Sequence, residues 1–361
     1  MTPREFGQHA ARAATLAVVV IATLEGAMRL DDWARFGVPF ASRIISLGEL
    51  LTTDSLGVHA RPGAQFRQFR INQLGFRGAE IGEEQLRLTR LVVAAGASET
   101  FGLYEPAGKE WPRQLEDSLR AACSEGITVG NAAFAGMSLP TVIQDIQRRL
   151  APLRPSAIAY YPTPMQYLEK ELPIAAEPSL NVSTMPGGFR FRAFLRFRDA
   201  IKRVLPAPVL DRLRQREIRA FRRNLAAGAL DHAPLDRLDR FEHDLRVLVG
   251  AVRSVGATSL LVIHQNRFFS REGDEQARWL TAWERFYPLY TGEAILDFDR
   301  LAAERTRKVA KDSAVLLVDP ALELKAARPV PFADFSHFTE QGSAIVGGAV
   351  ARALSPGLCR R

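Results

Sequence analysis

Five short apolar runs recur along the chain, at residues 91–95, 127–130, 157–161, 258–263 and 314–318. Each has the length of a strand and is too short for a buried helix. Helix-patterned stretches separate them; between 235 and 254, apolar side chains return at Leu238, Phe241, Leu245, Leu248 and Val252. Strands alternating with helices specify an α/β fold whose parallel sheet is covered on both faces. The expected architecture is a three-layer α/β/α unit with a mostly five-stranded parallel sheet of flavodoxin-like type. The 361 residues suit one large domain, or one domain with a sizeable insertion.

The first strand ends in a turn that carries chemistry. The run Val92-Val93-Ala94-Ala95-Gly96-Ala97 leads into Ser98-Glu99-Thr100-Phe101-Gly102. A strand-to-helix corner of this kind exposes a hydroxyl at the carboxyl edge of a sheet, where open α/β folds place their ligands. Backbone N–H groups at the start of the following turn are free to face developing negative charge. Far along the chain, Asp334 and His337 lie three residues apart, followed by Thr339 and Gly342. A serine hydroxyl is a weak nucleophile until an imidazole takes its proton, and a carboxylate fixes that imidazole's tautomer. Ser98, Asp334 and His337 are therefore the candidate nucleophile, orienting acid and base. Each residue also has a plain structural reading: Ser98 as a turn residue, Asp334 as a cap, His337 as a surface histidine before the last helix.

These blocks resemble the SGNH/GDSL hydrolase family. Gly96-Ala97-Ser98-Glu99-Thr100-Phe101-Gly102 is similar to the nucleophile block of its membrane-anchored branch, Gly-x-Ser-x-Thr-Phe-Gly. Asn131-Ala132-Ala133-Phe134-Ala135-Gly136 is similar to the second block, and Asp334 with His337 matches the last. Upstream, Ile71-Asn72-Gln73-Leu74-Gly75-Phe76-Arg77-Gly78 also looks like a segment of anchored members. The resemblance covers roughly residues 55–165 and 255–355. It implies a carboxylic ester hydrolase with Ser98 as nucleophile and an oxyanion hole from the Ser98 and Gly136 N–H groups, with Asn131 positioning the Gly136 loop or contributing to the hole. The family's third block, Gly-x-Asn-Asp, is missing. The strand at 157–161 runs instead into Pro162-Thr163-Pro164-Met165-Gln166. Prolines supply no N–H, which leaves Thr163 or Gln166 as replacement donors. His264, which follows a strand, reads as a buried hydrogen-bonded histidine or as a second catalyst.

The apolar fraction of 47% and charged fraction of 24% are those of a globular protein. Net charge is +8, mostly from arginine, and no nucleic-acid motif accompanies it. The charge reflects compositional bias or a membrane surface or anionic polymer as partner. The two cysteines, Cys123 and Cys359, make no disulfide framework, and Cys123 reads as a small residue of a helix. The six histidines are scattered, no Cys/His cluster has metal-ligand spacing, and no metal or other cofactor is expected.

Residues 13–24 are apolar and uncharged; Glu25 interrupts the run before Arg29, and Arg4 and Arg12 precede it. The length lies between a signal-peptide core and a full span. Before Met28 the triplet Glu25-Gly26-Ala27 puts a charge in a would-be cleavage site. An uncleaved signal anchor over 1–29 is preferred to a cleaved signal peptide or a core helix. Flanking charges nearly tie under the positive-inside rule. The resemblance implies export, so the expectation is a single-pass protein of a bacterial-type inner membrane with its catalytic domain outside. A connector at 30–64 would lead to the domain at 65–361.

The interval 167–232 breaks the strand–helix rhythm. A polar, proline-containing stretch reaches about 188, and residues 190–223 hold twelve Lys or Arg against Asp199, Asp211 and Glu217. Phe191, Phe194, Leu195, Phe197, Ile201 and Leu205 interleave with these charges, and Pro206 and Pro208 divide the segment into two helices. It reads as a solvated insertion packed on the domain, as an amphipathic device on anionic lipid, or as a cap guiding an acidic polysaccharide. Three functions remain open. One is a tethered esterase removing O-acetyl groups from cell-surface carbohydrate, a substrate class implied by the resemblance. Another is a lipid esterase or thioesterase at the membrane surface. The third is a non-hydrolytic acyl-transfer or polysaccharide-assembly protein, favoured by the missing Asn. Oligomeric state is not readable.

Overall fold

Helix α1 spans Pro3–Phe36 in this computed structural model, which describes residues 3–123, 126–169, 191–223, 225, 228–269 and 273–359. The helix continues seven residues past the expected end of the anchor. Ion pairs one turn apart, Glu25–Arg29 at 2.9 Å and Asp31–Arg35 at 2.6 Å, favour helix there. Gly37, with φ 67°, and Pro39 then stop it. Glu5–Phe36 is long and apolar enough to cross a membrane, and its apolar window is wholly exposed. The expected connector contains a hairpin, β1 (Leu51–Asp54) with β2 (Gly57–Ala60), followed by a two-residue pair, β3 (Gln65–Phe66) with β4 (Phe69–Arg70).

A short helix α2 (Glu83–Leu88) leads into β5 (Arg90–Gly96), which turns into α3 (Ser98–Phe101), a single turn. Then come α4 (Trp111–Ala122), β6 (Ile127–Asn131), α5 (Leu139–Asp145) and β7 (Ala157–Tyr161). The interval that breaks the rhythm holds α6 (Arg192–Val204) and α7 (Ala207–Arg222), with Pro206 at their junction. Its proline-containing part at 170–190, including Arg190, lies outside the described residues. The second half runs α8 (Leu235–Ser254), β8 (Thr258–Val262), α9 (Asp274–Glu284), α10 (Gly292–Asp312), β9 (Leu316–Val318), α11 (Ala321–Ala326) and α12 (Glu340–Leu358).

The five longer-range strands form one parallel sheet in the order β6-β5-β7-β8-β9. The pleat sends Val92 and Ala94 to one face, where they pack with Trp111, Leu115 and Leu119 of α4 and Val346, Val350 and Leu354 of α12. Leu91, Val93 and Ala95 go to the other face, against Val142 of α5, Leu245 and Leu248 of α8 and Ile295 and Phe298 of α10. Burial on both sides explains why β5 reads as a continuous apolar run.

The expectation for the cysteines is corrected. Cys123 at the end of α4 and Cys359 at the end of α12 form a disulfide, with Cα atoms 4.8 Å apart. They stand 236 residues apart, so only the packing of the two helices brings them together. Helix α6 is fastened to α1. Arg192 donates to Asp32 at 2.9 Å, the Ala193 N–H reaches Glu25 at 3.2 Å, and Arg196 pairs with both Asp31 and Asp32. Helix α7 is fastened to α9 by Arg222–Glu284 at 3.2 Å and by Glu217–Arg285.

Candidate active site

All the strands of the main sheet point the same way, so their carboxyl ends collect side chains from distant parts of the chain. Ser98 follows β5, Asn131 ends β6, Thr163 follows β7, and His264 follows β8. The turn after β5 depends on Gly96. A Cβ there would lie 2.6 Å from the Tyr161 carbonyl oxygen and closer still to the Thr100 hydroxyl. At the far end of α3, the buried Arg77 guanidinium donates to the carbonyls of Phe101 and Gly102 and lies 4.9 Å from the Phe69 and Phe101 rings. These are the orphan carbonyls of a helix C-terminus, so Arg77 caps the turn that presents the serine. The motif before the nucleophile block thus has a local physical purpose.

Asp334 and His337 form a close couple. His337 Nδ1 donates to the Asp334 carboxylate at 2.8 and 3.0 Å, while the His337 and Ser336 backbone N–H groups donate to it at 2.9 and 3.0 Å. The Tyr104 ring centroid lies 5.4 Å from that of His337. Arg267 holds the loop from outside, donating to the Asp334 carbonyl at 3.4 Å. Burial opposes charge on His337, but the Asp334 charge and hydrogen bond, helped by Glu99 and Glu105, outweigh it and push the imidazole up to about 9. Burial alone would raise Asp334; the charge and hydrogen bond of His337 and the two backbone donors bring it below its ordinary value. The outer nitrogen, His337 Nε2, is buried and has no hydrogen-bond partner.

The Ser98 hydroxyl donates to Oε2 of Glu99 at 3.3 Å. Ser98 and His337 share no hydrogen bond; Glu99 joins Ser98 instead to Ser336, the residue before His337, its Oε1 accepting from the Ser336 hydroxyl at 3.1 Å. Thr163 also donates to Glu99, at 3.0 Å. Gln166 donates to the Met137 carbonyl at 3.2 Å, tying down the loop that holds Gly136. Asn131 donates to the Thr100 carbonyl at 3.0 Å and accepts from the Ala133 N–H at 3.2 Å. Gly136 stands at the third position of a turn closed by Met137 N–H to Phe134 O at 3.1 Å, and its φ of 82° is the sign a type II turn requires there.

A second couple lies behind the first. His264 Nδ1 meets Asp299 at 2.7 Å, and Asn266 donates to the other oxygen of Asp299 at 2.6 Å. His264 Nε2, buried and unpartnered, is 4.0 Å from Glu99 Oε1, too long for a hydrogen bond. Burial works against charge on His264, yet Asp299 and then Glu99 raise its pKa above the ordinary value, with His337 opposing. Sequence reasoning missed Glu99 and Asp299. Both left a signal: an acid immediately after the candidate nucleophile, and an acid on the α10 stripe of Ile295, Phe298 and Ala302. Among the described residues no group of His, Cys, Asp and Glu could hold a metal ion.

No protein-family model matches the chain, and no curated protein sequence matches it. Solved structures do show similarity. A lipase/acylhydrolase from Enterococcus faecalis aligns at 12% identity over 76% of this chain and 99% of its own, with a TM-score of 0.43. A lipolytic protein of the G-D-S-L family from Desulfitobacterium hafniense DCB-2 aligns at 14% identity over 74% and 100%, with a TM-score of 0.40. A catalytic mutant of an acetylxylan esterase from Geobacillus stearothermophilus aligns at 15% identity over 75% and 97%, with a TM-score of 0.42.

Proposed function

We propose that this protein is a serine esterase of SGNH/GDSL type, tethered to a cell membrane by α1 and acting outside it on O-acyl groups, in the first place O-acetyl groups, of a surface carbohydrate. The observation that carries the reading is the Asp334–His337 couple, whose Nε2 is unpartnered and whose loop, through Ser336, shares the Glu99 carboxylate with the Ser98 hydroxyl. Rotation of Ser98 about χ1, between staggered positions, transfers its hydroxyl from Glu99 to His337. Nε2 removes the Oγ proton as Oγ attacks the ester carbonyl carbon, and Asp334 stabilises the imidazolium. The N–H groups of Ser98 and Gly136 receive the oxyanion. The imidazolium protonates the departing alcohol. Water, deprotonated by the same imidazole, then releases the acid and restores Ser98.

The tether reading draws on α1 and on the disulfide, a bond that persists in oxidising compartments outside the cytosol. The unit beyond the tether takes in the hairpins at 51–70 as well as the sheet, with α6 and α7 as its helical insertion. A lipid-directed esterase is the second reading, and α6 favours it. Clamped to the end of α1, it leaves Phe194 41%, Phe197 67% and Val204 83% exposed, an apolar edge suited to lie in the headgroup region.

The decisive test is fluorophosphonate labelling of the full chain in detergent, with mass mapping of the adduct, followed by release assays on acetylated glycans and on lipid esters. The expected result is an adduct on Ser98 that disappears in Ser98→Ala and weakens in His337→Ala, with acetate released from glycans. Absence of the adduct in folded wild type would end the esterase reading. Preference for long acyl chains in vesicles would select the lipid reading.

A further inference from the structure

Resting on the Ser98–His337 reading, we infer that Glu99 is a positioning residue for that pair, held by three hydroxyls with the His264–Asp299 couple behind it: its carboxylate fixes the resting direction of the nucleophile and supplies a second negative charge facing His337. A carboxylate this buried, 3% exposed, is costly unless its oxygens are satisfied. Here they are satisfied by three hydroxyls, those of Ser98, Thr163 and Ser336. Those hydroxyls come from three different loops at the carboxyl edge of the sheet: the nucleophile turn, the segment after β7, and the loop carrying Asp334 and His337. One belongs to the nucleophile itself and another to the residue beside the base. A merely structural acid would have no reason to take the single proton of the attacking hydroxyl.

The charge arrangement gives the relay a consequence. His337 faces Asp334, Tyr104, Glu99, Glu105 and His264, with Arg267 beyond Asp334. Asp334, Glu99 and Glu105 favour the imidazolium; His264 opposes it. His337 must be neutral to accept the Ser98 proton, so Glu99 restrains the base while it orients the nucleophile. His264, held by Asp299 at 2.7 Å, offsets part of that restraint in its protonated form. The two members of the relay therefore act on His337 with opposite signs.

This difference in sign is the test. The rate of Ser98 labelling by a fluorophosphonate is measured against pH for the full chain, as wild type, Glu99→Gln and His264→Gln, with unfolding midpoints recorded for each. For Glu99→Gln the midpoint of the rate-versus-pH curve is expected to fall by about one unit, and for His264→Gln to rise by a smaller amount, about half a unit. A folded Glu99→Gln or His264→Gln whose curve keeps the wild-type midpoint, or shifts in the opposite direction, overturns the inference while leaving the esterase reading intact. Should either variant fail to fold, the other decides. If wild type acquires no adduct on Ser98 at any pH, the underlying reading fails and this inference with it. Titration of the His337 imidazole by NMR gives the same shifts independently of labelling.

Discussion

The molecule contains two imidazole–carboxylate couples of nearly the same geometry: Asp334–His337 at 2.8 Å and Asp299–His264 at 2.7 Å. In both, Nε2 is buried without a hydrogen-bond partner. They differ in what holds the acid and what the free nitrogen faces. Asp334 sits on a loop, stabilised by backbone N–H groups of its own turn, and its histidine carries a partnerless Nε2. Asp299 sits inside the long helix α10, and its histidine faces Glu99. A histidine beside a carboxylate is therefore not enough to mark a catalyst. On the proposed reading the neighbour of the second nitrogen decides: a reactive hydroxyl calls for proton transfer, whereas an acid calls for charge balance.

The largest effect that would break this comparison is expected on removing each imidazole. His337→Ala should lower ester turnover by at least about 10³-fold, in line with losses of catalytic-triad members. His264→Ala should lower it by about tenfold and depress the unfolding midpoint more, because Asp299 loses its partner in a buried site. Equal losses of turnover would make the two couples functionally equivalent. The carboxylates should separate next. Asp334→Asn is expected to cost up to about 10⁴ in kcat through the wrong imidazole tautomer, while Asp299→Asn should cost little in kcat and about 1–3 kcal/mol in stability, read by denaturant unfolding.

Two pH effects follow, smaller in size but of defined sign. With His337 pushed up to about 9, kcat/KM should rise through neutral pH and level off only above about 9. A plateau reached by pH 7 would mean that Asp334 and Glu99 do not act on the base as described. Stability should run the other way. The raised His337 contributes stability that is fully present below its ordinary value of 6.5 and is lost as pH rises through about 9. The lowered Asp334 contributes stability present above its ordinary 3.8 and lost in acid. Unfolding midpoints should thus peak between those two ordinary values, well below the pH of fastest turnover. The smallest expected effect is at the membrane: Phe197→Ser should weaken binding of a detergent-extracted fragment lacking α1 to anionic vesicles only a few-fold, since a side chain that dips partway into the headgroup region gains only a fraction of the about 1.5–3 kcal/mol that full burial gives. Stronger loss would give α6 the leading part in attachment.

The sheet was legible because β5, β6, β7 and most of β8 are buried on both faces and so stand out as unbroken apolar runs, as in Val92–Ala95 between α4 and α5, whereas the edge strand β9 is half exposed. The last strand was legible only in part. Ala314 has φ 48°, so pairing begins at Leu316, two residues after the apolar run starts. Ser98, Asp334 and His337 could be singled out since each sits in a short local pattern. Glu99 could not be weighed from sequence, because its three hydroxyl donors lie up to 237 residues away and only the fold assembles them. The disulfide was hidden for the same reason: its two cysteines have no local pattern, and their meeting depends on α4 and α12 packing side by side.

That disulfide also bears on when the molecule is completed. Helix α12 follows directly on the Asp334–His337 loop, and α4 lies close behind the nucleophile turn. A covalent bond between their far ends joins the first and last parts of the catalytic unit into a ring. Thiols stay reduced in the cytosol, so a chain in the cytosol holds its final helix by side-chain packing alone. On the proposed placement outside the membrane, the ring closes on arrival in an oxidising space. If the protein is exported as proposed, free thiols at Cys123 and Cys359 mark molecules that have not yet been delivered, giving a chemical time stamp separate from any assay of turnover.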